Sequence, residues 1–313
     1  MLRLLRTMWT IRAFEEKVSE LFGRREVHGL LHLSIGQEAV AAGACAALRT
    51  TDRVVSGHRP HGHAIAKGVD IASLFAELAG RETGCCRGKG GSMHLAAPTT
   101  GFVTATGIVG GNVALALGVA FACKEREKQE VAAVFFGDGA GQSGAFHESL
   151  NIAALWKLPL LFICENNGYA EFTPLSAHTP ISQLARHAET YGIPSATVDG
   201  NDVLAVRTAI SDAAARARAG GGPSFIECMT YRLRGHYEGD PAKYRELSEL
   251  SDWKTKDPIR RFAATLVKKG TCTHEQMRAV EAEARASVEA AAQKASTGAW
   301  PSVDEVTTLV YAG

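Results

Sequence analysis

The chain has 313 residues, with 34 Lys and Arg against 33 Asp and Glu and a formal net charge of +1. This balance leaves no excess of positive charge to hold a phosphate backbone or an anionic membrane surface, so we expect no nucleic acid and no membrane among its partners. Hydrophobic residues make up 46% of the sequence and charged residues 21%, and no apolar run approaches the ~18 residues of a transmembrane helix. The composition predicts a globular protein of one large domain or two modest ones.

The first predicted element is an amphipathic helix over residues 2–22. Its apolar residues recur at helical spacing, and Gly23 interrupts the pattern. Residues 2–14 carry three arginines and no acid, which is also typical of a transit peptide. Because Glu15 and Glu20 continue the helical pattern without a break, we favour a docking helix.

The middle of the chain, residues 52–203, alternates between short apolar runs of strand length and Ala-rich helical stretches. This pattern is typical of a parallel sheet with helices on both faces. The clearest unit has a strand at 131–136, a helix at 144–157 and a second strand at 158–164. A right-handed crossover places the carboxyl ends of these two strands at the same edge of the sheet.

Further strands are predicted at 197–199 and 224–229, each after Gly or Pro. The stretch 233–249 is then polar and irregular, and it is too long for a simple connection. Long loops without secondary structure are commonly functional, so we expect this one to border a site.

The C-terminal part is predicted to be helical. Asp257-Pro258 has the N-cap and first-turn residues of one helix, and Thr273 with Gln276 forms the capping-box pattern of another. We therefore expect residues 1–250 to form an α/β domain with its N-terminal docking helix. Residues 251–313 are expected to be a helical extension of the same domain.

The seven cysteines form no CxxC pair and no metal-finger spacing. An odd number of such cysteines is typical of a reducing compartment, which predicts a cytoplasmic protein. The adjacent Cys85 and Cys86 form only a strained ring when bridged, so we favour a packing role for them over a redox pair.

A carboxylate and an amide are predicted to meet at the sheet edge. Gly137-Asp138-Gly139 ends one strand, and Asn166-Asn167 ends the next after 26 intervening residues. Carboxylate and amide oxygens are hard ligands that suit Mg²⁺, which completes its octahedron with phosphates and water. A lone Gly-Asp-Gly is a common turn, but both motifs at one fixed distance arise by chance in roughly one chain in ten thousand. The sequence therefore predicts a magnesium–phosphate site.

This pair of motifs resembles the thiamine diphosphate fingerprint, and other stretches narrow the resemblance to the alpha subunits of heterotetrameric thiamine-diphosphate-dependent dehydrogenases. The resemblance covers about residues 5–260. It implies a thiamine-diphosphate-binding α/β fold and an α₂β₂ assembly with a beta subunit, which supplies a catalytic glutamate. It also implies a lipoyl-bearing acyltransferase as a further partner. The other matching stretches are 88–94, 107–111, 155–159 and 235–241.

The resemblance also implies individual roles. Asp138, Asn167 and the main-chain carbonyl of Tyr169 are implied to hold Mg²⁺. Arg59 and His236 are implied to contact the diphosphate, which suits a forked cation and an imidazole donor. The full set implied to bind the cofactor is His58, Arg59, Gly107, Val109, Gly137, Asp138, Gly139, Ala140, Asn167 and His236.

Two of these assignments have alternatives. Val109 is implied to bend the cofactor, for which a β-branched side chain is suitably stiff, whereas the residue pattern alone favours core packing. The histidines after the strand predicted at 53–56 could bind zinc, because His61 and His63 would share a strand face. The resemblance instead implies that His61, His63 and His236 make catalytic contacts with substrate or protons.

The resulting hypothesis is an enzyme, the alpha subunit of an acetoin dehydrogenase that cleaves acetoin and passes a two-carbon unit to a lipoyl acyltransferase. The runs 167–172 and 236–241 resemble acetoin dehydrogenase more than mitochondrial pyruvate dehydrogenase. The alternatives are a pyruvate or branched-chain 2-oxo acid dehydrogenase and a noncatalytic cofactor-binding subunit. A nucleoside triphosphatase is disfavoured because the sequence has no Gly-x-x-x-x-Gly-Lys-Ser/Thr run.

Overall fold

A six-stranded parallel sheet forms the centre of the computed structural model, which describes residues 1–308. Its strand order is β2-β1-β3-β4-β8-β7, and the two short strands β5 and β6 form a separate antiparallel pair. The strands are β1 Arg53–Ser56, β2 Phe102–Ala105, β3 Ala132–Gly137, β4 Leu160–Asn166, β5 Tyr169–Ala170, β6 Thr173–Pro174, β7 Ser195–Asp199 and β8 Ser224–Met229.

Helices cover both faces of this sheet. Since successive strand side chains point to opposite faces, Phe135 packs into one core with α1, α2, α9 and α12, and Phe136 packs into another with α5, α6 and α8. The helices are α1 Leu2–Gly23, α2 Glu38–Ala47, α3 His61–Lys67, α4 Ile71–Leu78, α5 Gly111–Glu125, α6 Gly144–Leu155, α7 Leu175–His178, α8 Ala185–Glu189, α9 Val203–Arg218, α10 Leu247–Thr255, α11 Pro258–Lys268 and α12 His274–Ser296. The predicted fold class is confirmed.

The register of β3 and β4 positions the predicted metal corner. Phe136 lies opposite Cys164 and Gly137 opposite Glu165 in a parallel ladder. The residues that follow the two strands therefore meet at one edge of the sheet. This edge borders β1, where the strand order departs from chain order, and such switch points are where parallel α/β sheets bind ligands.

The N-terminal and C-terminal helices pack together. Leu5 and Met8 of α1 share a buried cluster with Ile259 and Phe262 of α11, and α12 packs along α1 and α4. Arg12 also bonds to Glu38 and Asp257. The predicted docking helix thus contacts the C-terminal helices directly. The division of the chain at residue 250 stays a prediction. Residues 309–313 of the predicted extension lie outside the described part of the chain.

Local signals located most of these elements. The strands predicted at 53–56 and 224–229 have these bounds in the structure. Asp257 caps α11 by accepting hydrogen bonds from the first-turn amides, and the capping box of α12 is present. The helix predicted over 144–157 ends at Leu155, because Lys157 has a left-handed φ of 48° and cannot continue it. Within residues 1–308, no helix combines the length and the apolar character needed to cross a membrane.

Candidate active site

A cavity of about 450 Å³ opens at the carboxyl ends of β1, β3 and β4. This volume lies within the usual range for small-molecule and cofactor sites, roughly 300–1,000 Å³. The segments 56–59, 106–110 and 135–140 form much of its wall, and Arg232 and His236 enter from the predicted loop region. The cavity therefore collects most of the residues selected from the sequence.

One corner of the cavity is rich in oxygen ligands. Asp138 is buried, and its Oδ1 accepts a hydrogen bond from the amide of Asn167 at 3.3 Å. The side-chain oxygen of Asn167 accepts from the amide of Tyr169 at 3.2 Å, and its amide group donates to Gln37 at 3.2 Å. The ring of His178 lies 3.3 Å from the other Asp138 oxygen. The side chains of Asp138 and Asn167 thus lie close together, next to the main chain of Tyr169, and the role of these residues in holding a metal stays a prediction.

A second corner is cationic. Arg59 donates to the main-chain oxygens of Leu33 and His236 at 2.8 and 2.7 Å, and Arg232 donates to that of Glu171 at 2.9 Å. One nitrogen of each guanidinium also lies next to His236 Nδ1, at 3.1 Å for Arg59 and 2.7 Å for Arg232. Both arginines are buried, and among residues 1–308 neither forms a salt bridge.

The electrostatics of this corner are unfavourable without a counter-charge. Burial and the charge of Arg232 lower the pKa of Arg59 to about 9, and burial also lowers the pKa of Arg232. Buried charges are ordinarily paired, because the loss of hydration is otherwise uncompensated. Two neighbouring guanidinium groups that have no carboxylate within salt-bridge distance are suited to bind an anion.

Three histidines pack edge to face beside these arginines. The ring centroid of His32 lies 4.9 Å from that of His58 and 4.9 Å from that of His236. Burial and the charge of Arg59 lower the pKa of His32 to about 4 and that of His236 to about 3. The same two causes lower the pKa of His58 well below 6.5. All three rings are therefore neutral near pH 7.

His32 and Arg232 were missed by the sequence analysis. His32 is an isolated polar residue between Leu31 and Leu33, and its buried Nδ1 has no hydrogen-bond partner within residues 1–308. Arg232 lies one residue before the loop that was predicted to border a site. Extending that prediction to the end of the preceding strand would have found it.

The glycines and Val109 shape the cavity wall. A Cβ on Gly137 would point into open space, with no atom closer than the 4.0 Å of Glu165 O, whereas a Cβ on Gly139 would lie 2.9 Å from that of Ala170. Val109 lines the cavity and is 57% exposed. The core packing that its residue pattern favoured is wrong. Gly107 and Ala140 line the same cavity.

The two histidines of α3 occupy different surroundings, and the catalytic role expected for His63 stays a prediction. His61 and His63 lie on a helix rather than a strand, so their side chains diverge. His63 lines the cavity, between Ser56 Oγ at 2.8 Å and Glu165 Oε1 at 3.3 Å. His61 is fully buried away from the cavity wall, between Glu15 at 2.8 Å and Ser92 at 3.0 Å.

The structure therefore supports neither a substrate contact for His61 nor the zinc alternative. In the part of the chain that the structure describes, the only group of three possible metal-ligating side chains is Glu77, Cys85 and Cys86. All seven cysteines are free.

The fold and the cavity define a class of protein, an α/β protein with a cationic corner and an oxygen-rich corner at the switch point of a parallel sheet. Residues 6–303 match the model of the family described as "Dehydrogenase E1 component", and the chain belongs to this family. The predicted family and enzyme class, a thiamine-diphosphate-dependent oxidoreductase, are confirmed.

Similar proteins are named as alpha subunits. The chain is 45% identical over 305 residues to the alpha subunit of acetoin:2,6-dichlorophenolindophenol oxidoreductase from Bacillus subtilis (strain 168), covering 97% of this chain and 91% of the relative. Its identity to the protein of the same name from Cupriavidus necator is 43%, covering 99% and 94%. It is 42% identical to the pyruvate dehydrogenase E1 component subunit alpha of Rhizobium meliloti, covering 98% and 88%.

Proposed function

We propose that this chain is the alpha subunit of an acetoin dehydrogenase, which cleaves acetoin and passes a two-carbon unit to a lipoyl acyltransferase. The observation that carries the proposal is the pair of buried guanidinium groups without a salt bridge, Arg59 and Arg232, in the same cavity as Asn167. The amide of Asn167 in turn donates to the buried Asp138. The choice of acetoin is supported by the names of the relatives at 45% and 43% identity.

The side chains present fit a diphosphate bound together with Mg²⁺. Asp138, Asn167 and the carbonyl of Tyr169 supply the hard oxygen ligands that Mg²⁺ prefers. Arg59 and Arg232 supply charge-assisted donors for phosphate oxygens, and an anion there would relieve their mutual repulsion. The open space above Gly137 lets a phosphate approach the backbone. Thiamine diphosphate with Mg²⁺ satisfies each of these requirements.

When bound, thiamine diphosphate would supply the nucleophile for a carbonyl carbon and the electron sink for cleavage of a C–C bond. The protein's own part is to hold charges and dipoles in place before the reaction, so that no reorganisation is needed during it. Arg59 and Arg232 are fixed by backbone carbonyls, and the neutral rings of His32 and His236 face the cavity with donors and acceptors. Val109 lines the same cavity, and its proposed role is to press on the bound cofactor.

The cavity is proposed to be completed by a beta subunit in an α₂β₂ assembly, as the alpha-subunit names of the relatives imply. Apolar residues at its mouth support this, because Ile108 is 70% exposed and Leu30 59% exposed. Residues 251–313 are proposed to extend the same α/β domain, and the free cysteines support a cytoplasmic location.

A pyruvate dehydrogenase is the second candidate, favoured by the 42% identity to the Rhizobium meliloti subunit. Branched 2-oxo acids are a further alternative. A noncatalytic cofactor-binding subunit is disfavoured because Asp138 and Asn167 are both intact.

The test is dye reduction by the chain co-expressed with its beta subunit, with Mg²⁺ and thiamine diphosphate. Acetoin, pyruvate and branched 2-oxo acids are compared as substrates. We expect turnover of acetoin and none from the alpha chain alone. Turnover of 2-oxo acids in place of acetoin would assign a decarboxylating dehydrogenase, and cofactor binding without any turnover would assign a noncatalytic subunit.

A matched pair of variants tests the cofactor site itself. Asp138→Asn replaces the proposed carboxylate ligand with an uncharged and weaker amide oxygen, and it should strongly weaken Mg²⁺-dependent binding of thiamine diphosphate in calorimetry. Asp212→Asn makes the same change on the exposed surface of α9 and should bind as the unmodified protein does. Equal binding by both variants would contradict the assigned metal corner.

A further inference from the structure

Glu77, near the end of α4, is a buried carboxylate with an unusual set of partners. It is 1% exposed, and no Lys, Arg or His forms a salt bridge with it in the described part of the chain. Its Oε2 accepts hydrogen bonds from the amides of Cys86 and Gly88 at 2.7 and 2.9 Å. Its Oε1 accepts from the amides of Gly90 and Gly91 at 2.7 and 3.2 Å. Four backbone donors thus take the place of a cation.

The segment that supplies these donors, residues 84–94, has no helix or strand of its own. It is rich in glycine, so its ordering costs more conformational entropy than that of an ordinary loop. It also wraps the carboxylate closely. A Cβ on Gly84 would lie 2.3 Å from Glu77 Oε2, and one on Gly90 would lie 2.5 Å from His94 O. The segment is therefore folded around Glu77 rather than merely near it.

The far end of the same segment reaches the cavity. Met93 lines the cavity, and its Sδ would lie 3.4 Å from a Cβ built on Gly107. The preceding Ser92 lies within hydrogen-bond distance, 3.0 Å, of His61 Nε2, and the other nitrogen of that ring lies 2.8 Å from Glu15. The buried His61 therefore has a structural role, because it anchors the segment. Glu77 holds the middle of the segment, and His61 holds it at Ser92, next to the cavity.

We propose that Glu77 is a positioning residue that holds segment 84–94 in place and so preforms the cavity wall made by Met93 and Gly107. This inference rests on the proposed function, because that wall is the one expected to receive the cofactor. Glu77 itself lies outside the cavity lining and acts through the segment. When the segment is released, only the molecules in which it is ordered can bind the cofactor. The apparent affinity for the cofactor then falls in proportion to the fraction of molecules with an ordered segment.

The first test is Glu77→Gln. An amide of the same size has one acceptor oxygen, so either orientation of it satisfies one pair of backbone donors and opposes the other pair with its own N–H groups. We expect the apparent Kd for magnesium–thiamine diphosphate to rise about tenfold, with kcat at saturating cofactor changed by less than about twofold. The matched control is Glu82→Gln, which removes the same charge from an exposed side chain whose only ion-pair partner within residues 1–308 is Arg87. It should change neither quantity.

A second readout does not depend on the cofactor. Hydrogen exchange of the α–β complex without thiamine diphosphate should show amides 86–91 protected in the unmodified protein and exchanging at least about tenfold faster in Glu77→Gln. Gly90→Ala, which clashes with His94 O without changing charge, should have the same effect. If both variants fail to fold, the unmodified protein still tests the proposal. Unprotected amides 86–91 in the cofactor-free complex would overturn it.

The two proposals fail in distinguishable ways. If the unmodified complex does not bind thiamine diphosphate, the proposed function is wrong while the exchange comparison still tests Glu77. If it binds, and Glu77→Gln lowers only the thermal stability with an unchanged Kd, then Glu77 is structural and the positioning role is wrong. Faster exchange together with a raised Kd and a preserved kcat would support it.

Discussion

Replacing Arg232 with methionine tests whether the cationic corner is built for a bound anion. Arg232 and Arg59 contact the same atom, His236 Nδ1, at 2.7 and 3.1 Å, so their guanidinium nitrogens lie within about 6 Å of each other. At that separation and an effective dielectric constant of about 20, two like charges repel by about 3 kcal/mol. Methionine keeps much of the apolar volume of the side chain and removes this repulsion.

Arg232→Met should therefore stabilise the cofactor-free protein and weaken its binding of the cofactor. Losing the bond from Arg232 to Glu171 O costs about 1 kcal/mol. The cofactor-free protein should then gain about 1–2 kcal/mol net, which raises its Tm by about 2–6 °C. Binding of the diphosphate should lose about 2–5 kcal/mol, which lowers the affinity for thiamine diphosphate by at least about 30-fold.

The assay is thermal unfolding of the α–β complex with and without magnesium and thiamine diphosphate. Arg218→Met is the matched control, because Arg218 is also partly buried but pairs with Asp52, its Nη1 donating to Oδ1 at 2.8 Å. That variant should lose about 3–5 kcal/mol of stability, since it leaves a buried carboxylate unpaired. A lower Tm for cofactor-free Arg232→Met, with its cofactor-induced stabilisation retained, would refute the reasoning.

Val109→Ala should weaken cofactor binding without changing Tm, whereas Val113→Ala, a buried position on α5, should cost about 2 kcal/mol of stability in the same thermal assay. The pKa of His236 is about 3 in the folded protein and 6.5 in the unfolded chain, so the unfolded chain binds the proton first as the pH falls. The free energy of unfolding should therefore decrease below pH 6.5 towards pH 4. Unfolding curves that superimpose from pH 7 to 5 would contradict this. The hydrogen bond from Cys85 and the amide of Ala96 lower the pKa of Cys86 to about 7, so iodoacetamide should alkylate it first in peptide mapping.

The elements that the sequence predicted well are those with local causes. The strand at 224–229 is a short apolar run after Pro223, and the N-cap of Asp257 acts on amides two and three residues away. Such signals depend on neighbours in the chain, so no tertiary information is needed. The predicted end of α6 was wrong because a left-handed residue at 157 is not distinguishable from a helical one by hydrophobic pattern.

The same distinction between local and tertiary causes applies to the residues of the candidate site. Asp138 and Asn167 were predicted together because both follow parallel strands joined by one crossover, and the crossover rule alone brings their strand ends side by side. His61 was misplaced because His-x-x-His-x-His fits a strand face and a helix equally well until the helix is seen. Glu77 carried no signal, because its partners are main-chain amides that any sequence would offer.

The sequence by itself determined the fold class, the family and the oxygen-rich corner, because these depend on local periodicity and on motifs at strand ends. Only the tertiary structure decided which buried charges are paired. Arg218 meets Asp52 across 166 residues of chain, while Arg59 and Arg232 meet each other across 173. The physical reason is that charge pairing depends on distance in space, which folding sets after the local pattern has placed the strands and helices. These two arginines, which have no carboxylate in a salt bridge within residues 1–308, are the reason we propose that the cavity binds an anion.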